Sequence, residues 1–387
     1  MDFELNDEQR LFRDTIRAFA DKEIRPVAQE WEAAGRHPAE IIERMRGLGL
    51  FGLTVPAEYG GLAVDMVSFA LVFEEISKAW MGIAGILGSH SLACWMIARH
   101  GTDDQKRRLL PDLASGARRT GIGLTEPGAG TDLQGIRTTA RRDGAHYVVN
   151  GGKTWITNAR HADPLPVLVK TDPAARPAHR GMSVLLVDAA TPGYRVLRDL
   201  PKLGYKGTES CEIVFEDARV PAANLLGGVE GRGMQQVLSA LETGRINVAA
   251  RSLGIAQAAY DEALAYAGQR EAFGRKIHDF QAVQLKIADM AVKVQAARLL
   301  VYWAAASADA GRRVDMEAGM AKTFASEAAI DCALASMQVH GGYGYSKEFV
   351  VERLYRDAPL MSIGEGTNDI MRTVIAKALI AGKGRIG

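Results

Sequence analysis

The chain has 387 residues, with 47 Lys plus Arg against 46 Asp plus Glu and a net charge of +1, enough for two or three domains around a large buried core. Hydrophobic residues make up 47% and charged residues 24%, which excludes disorder as a whole, and the balanced charge argues against coating nucleic acid or an anionic membrane. Cys94, Cys211 and Cys332 lie far apart with no CxxC pair, so neither a disulfide framework nor a thiolate zinc site is expected and a reducing compartment is the default.

The first zone, 1–117, reads as helical. Its start, MDFELNDEQRLF, has no basic n-region and no apolar h-region, so no signal peptide is expected and the protein is expected to be cytoplasmic. Asn6 followed by Asp7, Glu8 and Gln9 has the form of an N-cap with a capping-box partner. Leu11, Phe12, Ile16, Phe19 and Ala20 follow at helical spacing, and Pro26 bends or ends that helix. Further helices are expected over Ala39–Leu48, Met66–Lys78, Gly82–His100 and Asp103–Ala114, with a turn over Pro56–Leu62. The apolar stretch Gly82–Ala98 is interrupted by Ser89, His90 and Ser91 and reads as a buried helix, not a membrane span.

The second zone, 118–226, has short β-rich runs: Tyr147–Val149, Lys153–Thr157, Val167–Lys170, Ser183–Val187 and Cys211–Phe215. Asn150-Gly151 predicts a hairpin between the first two, and the spacing suggests a compact barrel or sandwich. The third zone, 227–387, is again helical. Met234–Gln269, Gln281–Ala310 and Met316–His340 are long, Ala-rich and nearly free of Pro and Gly, which points to an extended bundle. The fold class is therefore α+β and multidomain: an N-terminal helical domain, a small middle β domain and a C-terminal helical bundle.

The 41 glycines raise the question of what they make room for. In Leu124-Thr125-Glu126-Pro127-Gly128-Ala129-Gly130-Thr131-Asp132, glycines and small hydroxyl residues let a ligand approach the backbone, although a plain turn gives the same pattern. Trp155 in Lys153–Asn158 stacks on a planar ring or fills the β core, and Thr157 is a candidate hydrogen-bond partner for a heterocycle. Arg270, in Arg270-Glu271-Ala272-Phe273-Gly274-Arg275 between two long helices, suits a phosphate or is a solvated surface residue. Gln338-Val339-His340-Gly341-Gly342 ends the third long helix. Its glycines form a C-cap or admit a bulky ligand, and no second ligand stands near His340, so no metal is expected. Glu365, between Gly364 and Gly366, is an ordinary loop acid or a base at the edge of a cleft.

In this order, LTEPGAGTD, KTWITN, LGYKGTESCEIVFEDARVP, REAFGRKI with FQ, QVHGGYGY with RLYRD, and GEGTNDI make the whole chain resemble the acyl-CoA dehydrogenase family. The resemblance implies a four-helix bundle for the C-terminal domain, FAD as cofactor, and oxidation of acyl-CoA thioesters to trans-2-enoyl-CoA. It implies Glu365 as the base that removes the α-proton while a hydride leaves the β-carbon. A minority branch places the base just before Arg245, where this chain has Gly244. Leu124, Thr125, Gly130, Thr131, Trp155 and Thr157 match flavin-contacting positions. Arg270, Phe273 and Gln281 match positions reaching the FAD of a neighbouring subunit. Gln338, Gly341 and Gly342 match its adenosine side, and Thr367 and Asp369 flank the pyrophosphate. Thr131, Glu242, Arg245, Gly364 and Gly366 match the substrate side, with Glu242 and Arg245 at the CoA end.

Shared cofactor sites imply a homodimer or homotetramer, and the family passes electrons to an electron-transfer flavoprotein. No nucleic-acid or membrane partner is expected. Two departures stand out. Gly364 replaces the Tyr that many members carry before the base, which widens the pocket towards a branched, bulky or functionalised acyl group. Ala272 replaces a Thr, removing one hydrogen bond to FAD. No Arg lies in Gly82–Ser91, so a dicarboxyl substrate is not indicated, and His90 is read as a satisfied core histidine. Two alternatives keep the fold: dehydrogenation of an acyl-carrier-protein thioester, and a flavin monooxygenase or oxidase. Fatty-acid metabolism is the expected setting.

Overall fold

A computed structural model describes residues 4–382. Residues 1–3 and 383–387, which belong to the outer two expected domains, lie outside the described residues. Helix α1 (Asp7–Phe19) starts at the expected capping box: Asn6 Oδ1 accepts from the Gln9 N–H at 2.8 Å, and Gln9 Oε1 accepts from the Asn6 N–H at 3.2 Å. It passes without interruption through a π-helical turn (Ala20–Ile24) into α2 (Arg25–Ala33), so Pro26 is taken up just after the π turn and does not end the helix. Then follow α3 (Ala39–Gly47), α4 (Met66–His100) and α5 (Asp103–Ala114).

Two expected helices are thus one. Their junction survives as a break at Trp80, whose φ of −160° and ψ of 108° are not helical. The Ala79 carbonyl left unpaired there accepts from Arg353 Nη2 at 2.8 Å. Helix α4 is long and apolar enough to cross a membrane by composition, but most of it is buried inside the protein, where it forms the central rod of the core.

The middle segment contains β1 (Thr139–Asp143), β2 (His146–Thr157), β3 (Leu165–Lys170), β4 (Met182–Val187), β5 (Tyr194–Asp199) and β6 (Ser210–Pro221), hydrogen-bonded in the order β4-β3-β1-β2-β6-β5. Tyr147, Val149, Val167, Leu185, Ile213 and Phe215 share one core beneath it. The hairpin expected at Asn150-Gly151 does not form, because β2 runs straight through it. The partner strand β6 bulges here, setting Glu216 and Asp217 (φ 49°) opposite Asn150, whose amide exchanges two 2.9 Å hydrogen bonds with Asp217, while Gly151 takes φ 139°. The hairpin instead joins β1 to β2 at Gly144-Ala145. The edge strand β5 and the charged β1 were not expected; too few of their side chains are buried to leave an apolar signature.

The last segment holds α6 (Gly233–Gln269), a short ribbon of β7 (Glu271–Ala272) and β8 (Arg275–Lys276), then α7 (Gln281–Asp309), α8 (Asp315–His340), α9 (Val351–Ile363) and α10 (Asn368–Ile380). Ala249, Leu253, Ala297, Ala304, Ala325 and Ala329 let α6, α7 and α8 pack closely, and the same core continues into α4. Small side chains bring the helix axes near each other, and burial of their faces stabilises helices too Ala-rich to have a strong amphipathic stripe.

Candidate active site

Three regions meet where α4, α6 and the α9–α10 loop converge. Gly364 closes α9 through its N–H to the Leu360 carbonyl at 2.9 Å, and Glu365 follows with φ 55°. A left-handed Glu costs on the order of 1 kcal/mol and persists only where its surroundings over-determine it. Here α8 supplies them. Lys322 Nζ donates to the Gly366 carbonyl at 2.8 Å and to Asn368 Oδ1 at 2.9 Å, and Asn368 Nδ2 donates to Ser326 Oγ at 3.0 Å. Thr367 caps α10, accepting from the Ile370 N–H at 3.4 Å. Asp369 beside it is exposed.

The Glu365 side chain is thereby aimed at α6. Its Oε2 is buried and has no hydrogen-bond partner. A Cβ at Gly244 would stand 1.9 Å from that oxygen, so the carboxylate occupies the space the glycine leaves. Burial pushes the Glu365 carboxyl up from its ordinary range, with Arg251, Lys322 and Arg245 pulling the other way. Burial in turn pushes the Lys322 ammonium down to about 8. An unpaired, desolvated carboxylate held in one place is a general base in waiting.

Arg245 is buried beside it and ion-paired to Asp315 at 3.3 Å. It does not line the groove that opens towards Glu242. That groove, of about 1030 Å³, takes in Thr131, Arg180, Arg232, Glu242 and Arg313 among its walls. Burial and the Asp315 carboxylate push Glu242 up to about 7. The structure thus brings Thr131 and Glu242 to one groove and places Arg245 outside its walls, near Glu365.

On the β domain, the loop 124–132 is tied to β2. Thr125 O accepts from the Thr154 N–H at 2.8 Å, and Leu124 O accepts from Lys153 Nζ at 3.1 Å. Lys153 also reaches buried Glu126 at 2.8 Å, and burial pushes that ammonium down to about 8. Although burial opposes it, bonds from Lys153 and Thr138 hold the Glu126 carboxyl below its usual range. Beyond this anchor the strand bulges, so that Trp155, at φ 63°, turns out of the core and is 56% exposed while Ile156 is buried. Trp155 is therefore a platform and not core filling. Thr157 follows it, half-buried, and a Cβ at Gly128 or Gly130 would meet no atom closer than 3.9 Å. An open aromatic face beside accessible small-residue backbone fits the flat ring system of FAD.

The third group lies apart on the surface. Arg270, Gly341 and Gly342 line a cavity of about 570 Å³ with Tyr266 and His340. His340 stacks on Tyr266 at 4.1 Å and donates from Nδ1 to the Ser336 carbonyl at 2.8 Å. Phe273, on the ribbon turn, is 96% exposed, Gln281 is exposed, and Gln338 accepts from Lys286 Nζ at 2.7 Å. Among the described residues the Phe273 ring has one ring contact, edge-on with Phe280.

Sequence reasoning missed Lys322, Asn368, Asn247, Arg251 and Tyr205. The first and fourth had a signal: each is a lone cation on the apolar side of an Ala-rich helix, where a charge is costly unless it has work to do. His90 is the satisfied core residue expected. Its Nδ1 accepts from the Thr120 N–H at 3.2 Å, Nε2 donates to the Phe51 and Leu113 carbonyls at 3.1 Å, and burial lowers its pKa to about 4.

The N-terminal, middle and C-terminal domain models of acyl-CoA dehydrogenase match residues 6–117, 121–218 and 231–380. The chain is 44% identical to the probable acyl-CoA dehydrogenase YngJ of Bacillus subtilis, over 98% of this chain and 100% of that protein. It superposes on butyryl-CoA dehydrogenase from Megasphaera elsdenii with a TM-score of 0.95 at 37% identity, covering 98% of this chain and 100% of that one. A chain from a structure of the electron-transferring flavoprotein of Acidaminococcus fermentans, reported for flavin-based electron bifurcation, gives a TM-score of 0.95 at 39% identity, with 98% and 100% covered. The chain belongs to the acyl-CoA dehydrogenase family, FAD-dependent enzymes that dehydrogenate acyl-CoA thioesters.

Proposed function

We propose that Glu365 removes the α-proton of the acyl-CoA, taking it on Oε2. The observation that carries this reading is the buried, unpartnered Oε2 held against Gly244. An oxygen with no donor keeps its basicity for the substrate, and the left-handed backbone pinned by Lys322 fixes where it points. The backbone N–H of Glu365 has a second role in this reading, donating to the thioester oxygen as enolate charge develops. Bound FAD supplies the acceptor for the hydride that leaves the β-carbon. Trp155 and Thr157 flank its ring, with Leu124, Thr125, Gly130 and Thr131 along the adjoining loop. Glu365→Gln is the test: the variant should keep FAD and bind acyl-CoA yet lose flavin reduction by about 10⁴-fold or more. Retained reduction would move the base elsewhere.

The CoA moiety enters along the groove walled by Thr131 and Glu242, where Arg180, Arg232 and Arg313 are available to its phosphates. At Gly364 a side chain would meet only the Leu360 carbonyl, at 3.4 Å, which leaves room for a substituted acyl group.

Assembly and electron transfer are part of the same proposal. Phe273, Leu285, Val292 and Tyr345 expose large apolar surface near Arg270 and along α7, which suits a homodimer or homotetramer with Arg270, Phe273 and Gln281 at a partner's FAD. The likeness to a chain solved with an electron-transferring flavoprotein supports such a protein as electron acceptor. Three free, buried cysteines suit a cytoplasmic setting. Fatty-acid metabolism remains the proposed setting.

A further inference from the structure

Behind Glu365, α6 carries a polar stripe that neither the base nor the flavin face uses. Gly244, Asn247 and Arg251 lie at successive turns on one side of the helix, so Arg251 is set about 10 Å further along the axis than Gly244. Helical side chains lean towards the N-terminus, which carries the Arg251 guanidinium back towards the base. Consistent with this, Arg251 exerts the largest effect of the positive charges acting on Glu365.

Both residues are buried and under-satisfied. Asn247 is wholly buried, and neither Oδ1 nor Nδ2 has a hydrogen-bond partner. Arg251 is 5% exposed, its Nε is unpaired, and its Nη2 meets only the thioether sulfur of Met81 at 2.9 Å. Tyr205 stands near, with its ring centroid 5.4 Å from the guanidinium. Among the described residues no carboxylate pairs with Arg251. A thioether is a weak acceptor and a ring face a weak counter-charge, so a buried guanidinium left with these has no hydrogen-bonded carboxylate to satisfy its donors.

The opposite wall of this space is α4. A Cβ at Gly85 would stand 1.8 Å from Tyr205 Oη, and one at Gly88 would stand 2.8 Å from Asn247 Oδ1. Two glycines of α4 thus admit the polar ends of Tyr205 and Asn247, and Met81 on the same helix meets Arg251. Thus α6, α4 and the segment carrying Tyr205 between β5 and β6 converge around the unmet donors of a charged guanidinium and an amide.

We propose that Arg251 and Asn247 recognise a carboxylate at the far end of the acyl group, so that the substrate is the CoA monothioester of a short dicarboxylic acid. The expectation that such a substrate was not indicated rested on the absence of Arg in Gly82–Ser91; the cation is supplied from α6 instead. The inference rests on the reading of Glu365 as the base, which fixes the other end of the acyl chain.

The test compares glutaryl-CoA with pentanoyl-CoA, which differ at the distal end. Anaerobic flavin bleaching by the holoenzyme should favour glutaryl-CoA by about 100-fold or more in kcat/KM, and Arg251→Gln should remove that preference. Calorimetric binding to Glu365→Gln holoenzyme should show the same preference, lost when Arg251→Gln is added. A wild-type preference for pentanoyl-CoA, or an equal loss of both thioesters in Arg251→Gln, overturns the proposal while the base assignment stands. If neither thioester bleaches the flavin, both lie outside the substrate range, which overturns the proposed specificity and leaves the base assignment to the Glu365→Gln test.

Discussion

Glu365 Oε2 and the α-carbon of Gly244 share a space in which a single added methyl would stand 1.9 Å from the oxygen. The glycine on α6 is thus part of the architecture around the proposed base on the α9–α10 loop. Gly244→Ala should leave the fold and FAD content intact, because a flexible carboxylate can swing aside. A displacement of about 1 Å in the base is nevertheless worth about 100-fold in rate. Stopped-flow flavin reduction measures this, with bound flavin absorbance as the control. A variant that reduces flavin at the wild-type rate would show that the carboxylate works from another position.

Lys322 is a positioning residue. Lys322→Met removes the donor to both the Gly366 carbonyl and Asn368 Oδ1, leaving the carbonyl unpaired and Asn368 Oδ1 with only the Ser326 hydroxyl. The loss is expected to cost about 1–3 kcal/mol of stability, and to lower kcat more than it raises KM, since the loop that aims Glu365 loosens. Lys322→Arg should restore part of kcat. Urea unfolding and steady-state kinetics on both variants separate loss of stability from loss of aim.

The pH behaviour of Glu365 has a definite sign. Burial raises its pKa in the folded protein. A carboxyl raised on folding contributes stability that is fully present below its unfolded pKa and is lost as pH rises through the folded value. At neutral pH the ionised group therefore destabilises the fold, and Glu365→Gln should raise Tm by roughly 2 °C or more, a gap that closes as the pH falls towards the ordinary carboxyl range. The acid limb of kcat/KM should show an apparent pKa above that range. A Tm difference that is constant with pH would contradict burial as the cause.

Trp155 and Arg270 test the two cofactor faces separately. Trp155→Ala removes the exposed platform beside the loop 124–132 and should weaken FAD retention without altering assembly. Arg270→Ala, at the cavity shared with Gly341 and Gly342, should weaken FAD retention and assembly together. Flavin content after gel filtration, read alongside the elution position, distinguishes them. Unchanged flavin content in Arg270→Ala would refute the assignment across subunits.

The long helices were legible because 26 to 37 residues of Ala-rich sequence with no Pro and few Gly leave little alternative. The β segment was legible in its buried strands and not in β1 or β5, whose residues face solvent. Asn150-Gly151 misled because its turn-like chemistry serves a continuing strand, with Gly151 at φ 139° and the Asn150 side chain paired to Asp217 in the bulge of β6 across the sheet. Glu365 was legible through its flanking glycines and the family resemblance. Its supporting groups were not: Lys322 meets the neighbouring Gly366 carbonyl across 44 residues of sequence separation, and Gly244 meets Glu365 only through packing of α6 against the loop. Contacts of that kind are fixed by tertiary structure, for which a single sequence carries no periodic signal.

The most direct measurement is anaerobic reduction of the bound flavin by excess acyl-CoA, followed by absorbance in wild type and Glu365→Gln matched for FAD content. The account requires rapid bleaching of the wild type and a rate about 10⁴-fold slower or less in the variant, with acyl-CoA still bound. Bleaching of Glu365→Gln at a rate close to wild type would contradict it.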